Sequence, residues 1–145
     1  MKKVIIIIFM LALATTACAF AGCSGGDGSS PEQVVERFLN ASMDGDADTA
    51  YDQLTAADQG EIDNKEELVE GFAEGVASYD VGEANISGDT ARVPLSMRIA
   101  GSEIDLEFDM ILFVENGEWK ISLSDTETEL QKAFDELMQG YETPQ

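Results

Sequence analysis

The chain has no histidine, only two cysteines, three prolines and one tryptophan, and its 8 basic residues stand against 29 acidic ones. Each shortage excludes something. Without histidine, no side chain has an ordinary pKa near neutrality, so the commonest general acid–base group and the commonest metal ligand are both missing. Two cysteines cannot supply metal-spaced Cys/His sets, and no nucleophile–base pair or phosphate-cradling glycine loop is present either. Neither a cofactor nor a metal is expected. The basic deficit excludes nucleic acid, whose binding depends on Lys/Arg contacts to phosphate. Anionic headgroups are repelled for the same reason. No apolar run reaches the about 20 residues that a membrane-spanning helix requires.

What is present begins at the N-terminus. Lys2 and Lys3 precede an unbroken apolar run from Val4 to Ala14, followed by small residues, then Ala21-Gly22-Cys23 and Ser24-Gly25-Gly26-Asp27-Gly28-Ser29-Ser30. A basic n-region, a short apolar h-region and a small-residue cleavage site make a secretory signal. A cysteine directly after the small pair, opening a Gly/Ser tether, resembles a bacterial lipoprotein signal. The resemblance implies removal of residues 1–22, lipidation of Cys23 and a flexible tether over 23–30. Phe20 stands where that pattern usually has leucine, and Thr15-Thr16-Ala17-Cys18 is a competing site. Cys23 is favoured because the tether begins there, and cleavage at Cys18 would strand Phe20 in the linker. Each buried methylene contributes about 0.8 kcal/mol, so two or three acyl chains hold where one would not. The expected location is a lipid anchor in the cell membrane or outer membrane, with the domain on the extracytoplasmic side.

The mature chain would keep one cysteine, lipidated, and no disulfide, so its stability must come from an ordinary hydrophobic core. The 115 residues from 31 to 145 suffice for one domain. Loss of Lys2 and Lys3 leaves 29 acidic residues against 6 basic, a net charge of −23. The plain reading of that acidity is a solvated surface; the functional alternative is attraction of divalent cations or a basic partner.

After the tether the sequence predicts helices first and strands second. Ser30-Pro31-Glu32-Gln33 is a helix start with a capping box, and Val34, Val35, Phe38, Leu39 and Met43 form the apolar stripe behind it. Gly45 stops that helix, Asp46 caps a second carrying Ala47, Ala50, Tyr51 and Leu54, and Thr55 caps a turn through Asp58. Asn64 starts another, with Leu68, Val69, Phe72 and Val76 facing inward, which frays near Gly75 to Ser78. From Tyr79 the period becomes two. Gly88-Asp89, Gly101-Ser102 and Asn116-Gly117 are hairpin turns between alternating runs. Folding at these turns pairs Ile86 with Ala91, Ala84 with Val93, Met97 with Leu106, Leu95 with Phe108, Val114 with Trp119, Leu112 with Ile121 and Met110 with Leu123. It also sets Arg98 opposite Asp105. Every turn sends its apolar residues to one face, which a one-residue slip would ruin. The result is a four-stranded antiparallel meander. Ile111 and Phe113 are apolar on the charged side, so they either lie under another element or mark a partner surface. A last helix is expected with a capping box at Ser124/Glu127 and a stripe of Leu130, Ala133, Phe134, Leu137, Met138 and Tyr141.

The strings at 30–41 and 44–55, together with Gly117 to Ile121 (Gly-Glu-Trp-Lys-Ile), resemble nuclear transport factor 2-like domains, and more narrowly the uncharacterised bacterial lipoproteins that carry one. The resemblance spans about residues 30 to 123. It implies an α+β cone: N-terminal helices closing over a strongly bent sheet, with a pocket at the wide end that the added C-terminal helix could plug. Segment 56–63 departs from the pattern.

Enzymes of that fold, dehydratases and isomerases among them, place Asp, Tyr and often His inside the cone. Here the predicted concave face carries no carboxylate. Tyr51 and Tyr79 are the polar-tipped candidates near a pocket, with Phe108 and Trp119 as apolar lining, though core rings with hydroxyls at the surface explain both tyrosines. Asp44-Gly45-Asp46-Ala47-Asp48 resembles the start of a calcium loop, but the required glycine and glutamate are replaced by Thr49 and Thr55. A helix stop followed by an N-cap explains it better. The expectation is a non-catalytic binding module for a small apolar ligand or an envelope protein. A dehydratase–isomerase using Tyr51, Tyr79 and an unplaced carboxylate is the alternative, and an accessory or structural envelope lipoprotein the third. The oligomeric state is left open.

Overall fold

The computed structural model describes residues 28–141. The signal, Cys23 and most of the tether lie outside the described residues, as does the tail from 142 onward.

Helix α1 spans Pro31–Asp44. Ser30 and Gln33 form the capping box, Pro31 sits in the first turn, and Gly45 closes the helix in the left-handed region at φ 74°. Its buried stripe includes Val34, Val35, Phe38 and Leu39. Asp46 then caps α2 (Ala47–Asp52), accepting the Thr49 N–H at 3.1 Å, so the Asp-rich string is a stop and a start. Thr55 caps α3 (Ala56–Glu61) and Asn64 caps α4 (Lys65–Val69).

Here the structure departs from expectation. The helix from Asn64 does not continue to Val76; it breaks at Glu70, and Gly71 adopts φ 81° before a short α5 (Phe72–Gly75). A left-handed residue cannot continue a right-handed helix, so the apolar period resumes on a rotated axis. Val76 instead opens strand β1 (Val76–Val81), three residues before the alternation was expected to begin.

Strands β2 (Asn85–Ser87), β3 (Thr90–Ile99), β4 (Asp105–Glu115) and β5 (Glu118–Ser122) complete one antiparallel sheet of four positions, in the order β1-β3-β4-β5, with β2 also pairing β3. The expected registers hold for Ile86↔Ala91, Met97↔Leu106, Leu95↔Phe108, Arg98↔Asp105, Val114↔Trp119 and Leu112↔Ile121. Asn116 and Gly117 both take positive φ (53° and 83°), the pairing a two-residue type I′ hairpin demands.

Two expected pairs do not form. Ala84 does not pair with Val93: its N–H is bonded to Glu32 Oε1 at 2.8 Å, and β1 and β2 share the edge position with a gap between them. Pro94 explains the gap. Its carbonyl accepts the Gly82 N–H at 2.8 Å toward that edge, and on the same side proline has no N–H to return. Met110 does not pair with Leu123, because β5 ends at Ser122 and Leu123 opens α6 (Leu123–Tyr141). The cause lies far away in sequence. The buried Asp58 carboxylate accepts the Leu123 and Ser124 N–H groups at 3.0 and 3.2 Å, and the Ser122 hydroxyl caps the Asp125 N–H. The helix therefore starts earlier than the Ser124/Glu127 capping box predicted.

The core lies between α1, α2 and the inner face of the sheet, where Val35, Ala50, Ala91, Val93, Leu112 and Ile121 are fully buried. The outer edge of β5 is covered too: the Gln53–Thr55 link runs beside it, with Ile121 N–H bonded to Gln53 O and Thr55 N–H to Ile121 O.

Candidate functional site

Alternation along β3 and β4 turns Leu95, Met97, Phe108 and Met110 to the same inner face. At the α2 end this face is packed solid. At the other end β5 has stopped, and the first turns of α6 cross the opening instead. Between them remains an apolar cavity of about 260 Å3. α1 contributes Phe38 and Leu39, α4 and α5 contribute Leu68 and Phe72, and the rings of Phe38 and Phe72 meet edge to face at 6.3 Å. α6 contributes Leu123, Thr126, Glu127 and Leu130.

Two polar residues touch this cavity. Thr126 is buried, and its hydroxyl oxygen accepts the Ile111 N–H at 3.0 Å, satisfying a buried β4 donor. Glu127 is exposed and supplies the one carboxylate of the lining. The N–H that Thr126 satisfies fixes α6 against β4 at the cavity rim. Sequence reasoning missed both residues, because the register of α6 over the sheet depends on Asp58.

A larger hollow of about 500 Å3 lies on the opposite, outer face between the sheet and α6, lined by Asp80, Glu107, Asp109, Glu129 and Glu136, with Lys132 among them. Arg92 spans part of it, bonding Asp109 and Glu129 at 2.9 Å each. Glu129 is held below the usual carboxylate range chiefly by its hydrogen bond to Arg92. Polar and charged groups make up nearly half of this trough's lining, whereas the inner cavity is almost wholly apolar and is the stronger site for an apolar ligand.

Of the four expected lining residues, only Phe108 reaches the cavity. Trp119 is buried in the core. Tyr51 donates its hydroxyl to Gln59 O at 2.9 Å, tying α2 to α3, and Lys65 Nζ stands 4.5 Å over its ring. Tyr79 donates to Asn40 Oδ1 at 2.8 Å; burial, helped by the Glu36 and Asp44 charges, pushes its phenol up. The two hydroxyls serve separate helices and do not face a common space. Asp58, the one buried carboxylate among the described residues, is occupied by Thr55 and the start of α6.

Ile111 is 6% exposed, beside the start of α6, and Phe113 is half-buried beside Thr90 and Lys120. Neither forms an exposed patch. The large apolar residues exposed among those described are Ile86, Phe134 and Met138. Among the described residues no group of His, Cys, Asp and Glu could hold a metal ion, and no helix is long and apolar enough to cross a membrane.

No protein-family model matches the chain, and no curated protein matches it. Solved structures do. A SEC-C motif containing protein from Rhodopseudomonas palustris aligns with a TM-score of 0.53 at 16% identity, covering 64% of this chain and 75% of that one. A Campylobacter jejuni protein called an NTF2-like (nuclear transport factor 2-like) transpeptidase gives 0.45 at 14% identity, over 66% of this chain and 99% of the other. A de novo designed protein with a curved β-sheet gives 0.46 at 16%, over 74% and 98%. At such identities the likeness concerns fold alone. The architecture is the expected α+β cone: helices on a curved antiparallel sheet, with a C-terminal helix.

Proposed function

We propose that the protein is a non-catalytic binding module, held outside the cytoplasm by a lipid on Cys23, whose open cone end takes a small apolar ligand. One observation carries this reading: the apolar cavity of about 260 Å3 left where β5 ends and α6 crosses. Aliphatic and aromatic side chains make most of its wall, and removing an apolar ligand from water there is favourable by about 25 cal/mol per Å2. General acid–base work would require two tunable groups facing each other, and the lining offers a single exposed carboxylate, Glu127. The anchor rests on Cys23 and the tether that follows it.

Titration with the neutral, apolar fluorophore N-phenyl-1-naphthylamine tests the cavity. The full chain should enhance its emission saturably, and Leu68→Trp, which fills the cavity from a half-buried position, should weaken binding at least tenfold. Equal binding by both proteins, or none by the wild type, overturns the ligand reading. Membrane fractionation of Cys23→Ala tests the anchor separately: the variant should leave the membrane fraction, and its retention there would sink that part of the proposal.

A further inference from the structure

The second half of α6 leaves two large apolar side chains, Phe134 and Met138, uncovered by the fold. Its first half is pinned by Asp58, by Thr126 and by the Arg92–Glu129 bridge. From Gln131 onward the residues are exposed apart from half-buried Ala133 and Leu137. Phe134 and Met138, one turn apart, are 49% and 47% exposed. With Leu130 and Leu137 they recur at the three- and four-residue spacing that makes one helix face. A helical segment this short is marginal in water without tertiary packing of such a face.

The flanks say what kind of partner fits. At 3.6 residues per turn, Asp135 borders the stripe on the side of Met138 and Glu127 lies in line with it, whereas Glu129 and Glu136 turn toward the trough beside the sheet. Lys132, the one basic residue of α6, falls on the back and is paired with Glu129 at 3.3 Å. A second copy would set acidic rim against acidic rim, in a chain of net charge −21. An anionic bilayer surface is repelled likewise. The stripe also continues into the cavity through Leu130.

We infer that the free half of α6 is a docking face for a cationic amphipathic helix of a partner protein. The partner's apolar side covers Leu130, Phe134 and Met138, and its Lys/Arg rim meets Glu127 and Asp135. This is a mode in which apolar anchors give affinity and the charged rim gives selectivity and salt dependence. Its centre, Phe134 and Met138, lies outside the ligand cavity, whose rim it meets at Leu130 and Glu127.

A two-heptad leucine/lysine peptide of helical amphipathic period is the probe, titrated against the full chain by fluorescence anisotropy. Binding should weaken with added salt. It should fall at least tenfold for the double variant Phe134→Ser/Met138→Ser, whose altered side chains are exposed and leave the core intact, as circular dichroism would verify. A scrambled peptide of the same composition should bind at least tenfold more weakly, which separates docking from bulk attraction to an acidic protein. The double variant should leave binding of the apolar fluorophore unchanged, since neither residue lines the cavity, so failure of the cavity reading and of this one are distinguishable. Equal binding of ordered and scrambled peptides, or no effect of the double variant, overturns the inference. So does a wild-type dimer in sedimentation that the double variant abolishes, which would make a second copy the occupant. Stronger binding to anionic vesicles than to the peptide would assign the face to a membrane and overturn it as well.

Discussion

The two ends of the sheet's inner face have the same alternating apolar sequence and opposite fates. At the end shared by β5, α1 and α2, Ala91, Val93, Leu112 and Ile121 have no exposed surface. At the other end Phe108, Leu68 and Phe72 are half-buried around an open space. Both ends offer only apolar side chains on the inner face, and Leu95, Met97 and Met110 are buried at the open end too; what differs is the elements laid over them. A full strand and two helices close the first end, whereas at the second the short α4 and α5, part of α1 and the first turns of α6 leave a space between them. An apolar alternation specifies a face to be covered, not how completely it is covered.

That contrast can be broken quantitatively. Leu112→Ala, at the closed end, removes a fully buried side chain that the surrounding strands cannot collapse onto; it should cost about 2–5 kcal/mol in urea unfolding with no change in m-value. Phe108→Ala, at the open end, removes a half-buried ring from a wall that already faces empty space. The expected loss is smaller, about 1–2 kcal/mol, but apolar fluorophore binding should fall with it. Were Phe108→Ala to cost as much as Leu112→Ala, the two ends would be equally packed and the cavity would have no standing as a site. Met138→Ala, beyond both ends, should shift stability by no more than about 0.5 kcal/mol, since its side chain is 47% exposed. A larger loss would mean that the free half of α6 packs on the domain in solution.

Local chemistry was legible wherever a residue acts on its own neighbours. The Ser30/Gln33 box, the Gly45 stop and the caps at Asp46, Thr55 and Asn64 all stand where their side chains predict, as does the Asn116-Gly117 turn. The hairpin registers followed, because one residue of slip would turn an apolar face to water. Illegible were features set by a residue distant in sequence. Asp58 ends β5 and begins α6 across 65 positions. Glu32 takes the Ala84 N–H that the hairpin was expected to use, 52 positions away. The tyrosines were misplaced as lining for the same reason: period tells which face a ring is on, but not that Tyr51 spends its hydroxyl on Gln59.

The amino-acid order alone settled the α+β class, the caps at Ser30, Asp46, Thr55 and Asn64, most of the hairpin pairing and the net acidity, since each depends on composition, spacing or short-range bonds. Where the sheet loses its last strand, which apolar positions surround a cavity, and that the end of α6 stands uncovered were decided only in three dimensions. Burial is a property of what comes to lie on top, and the chain brings those pieces together from far apart.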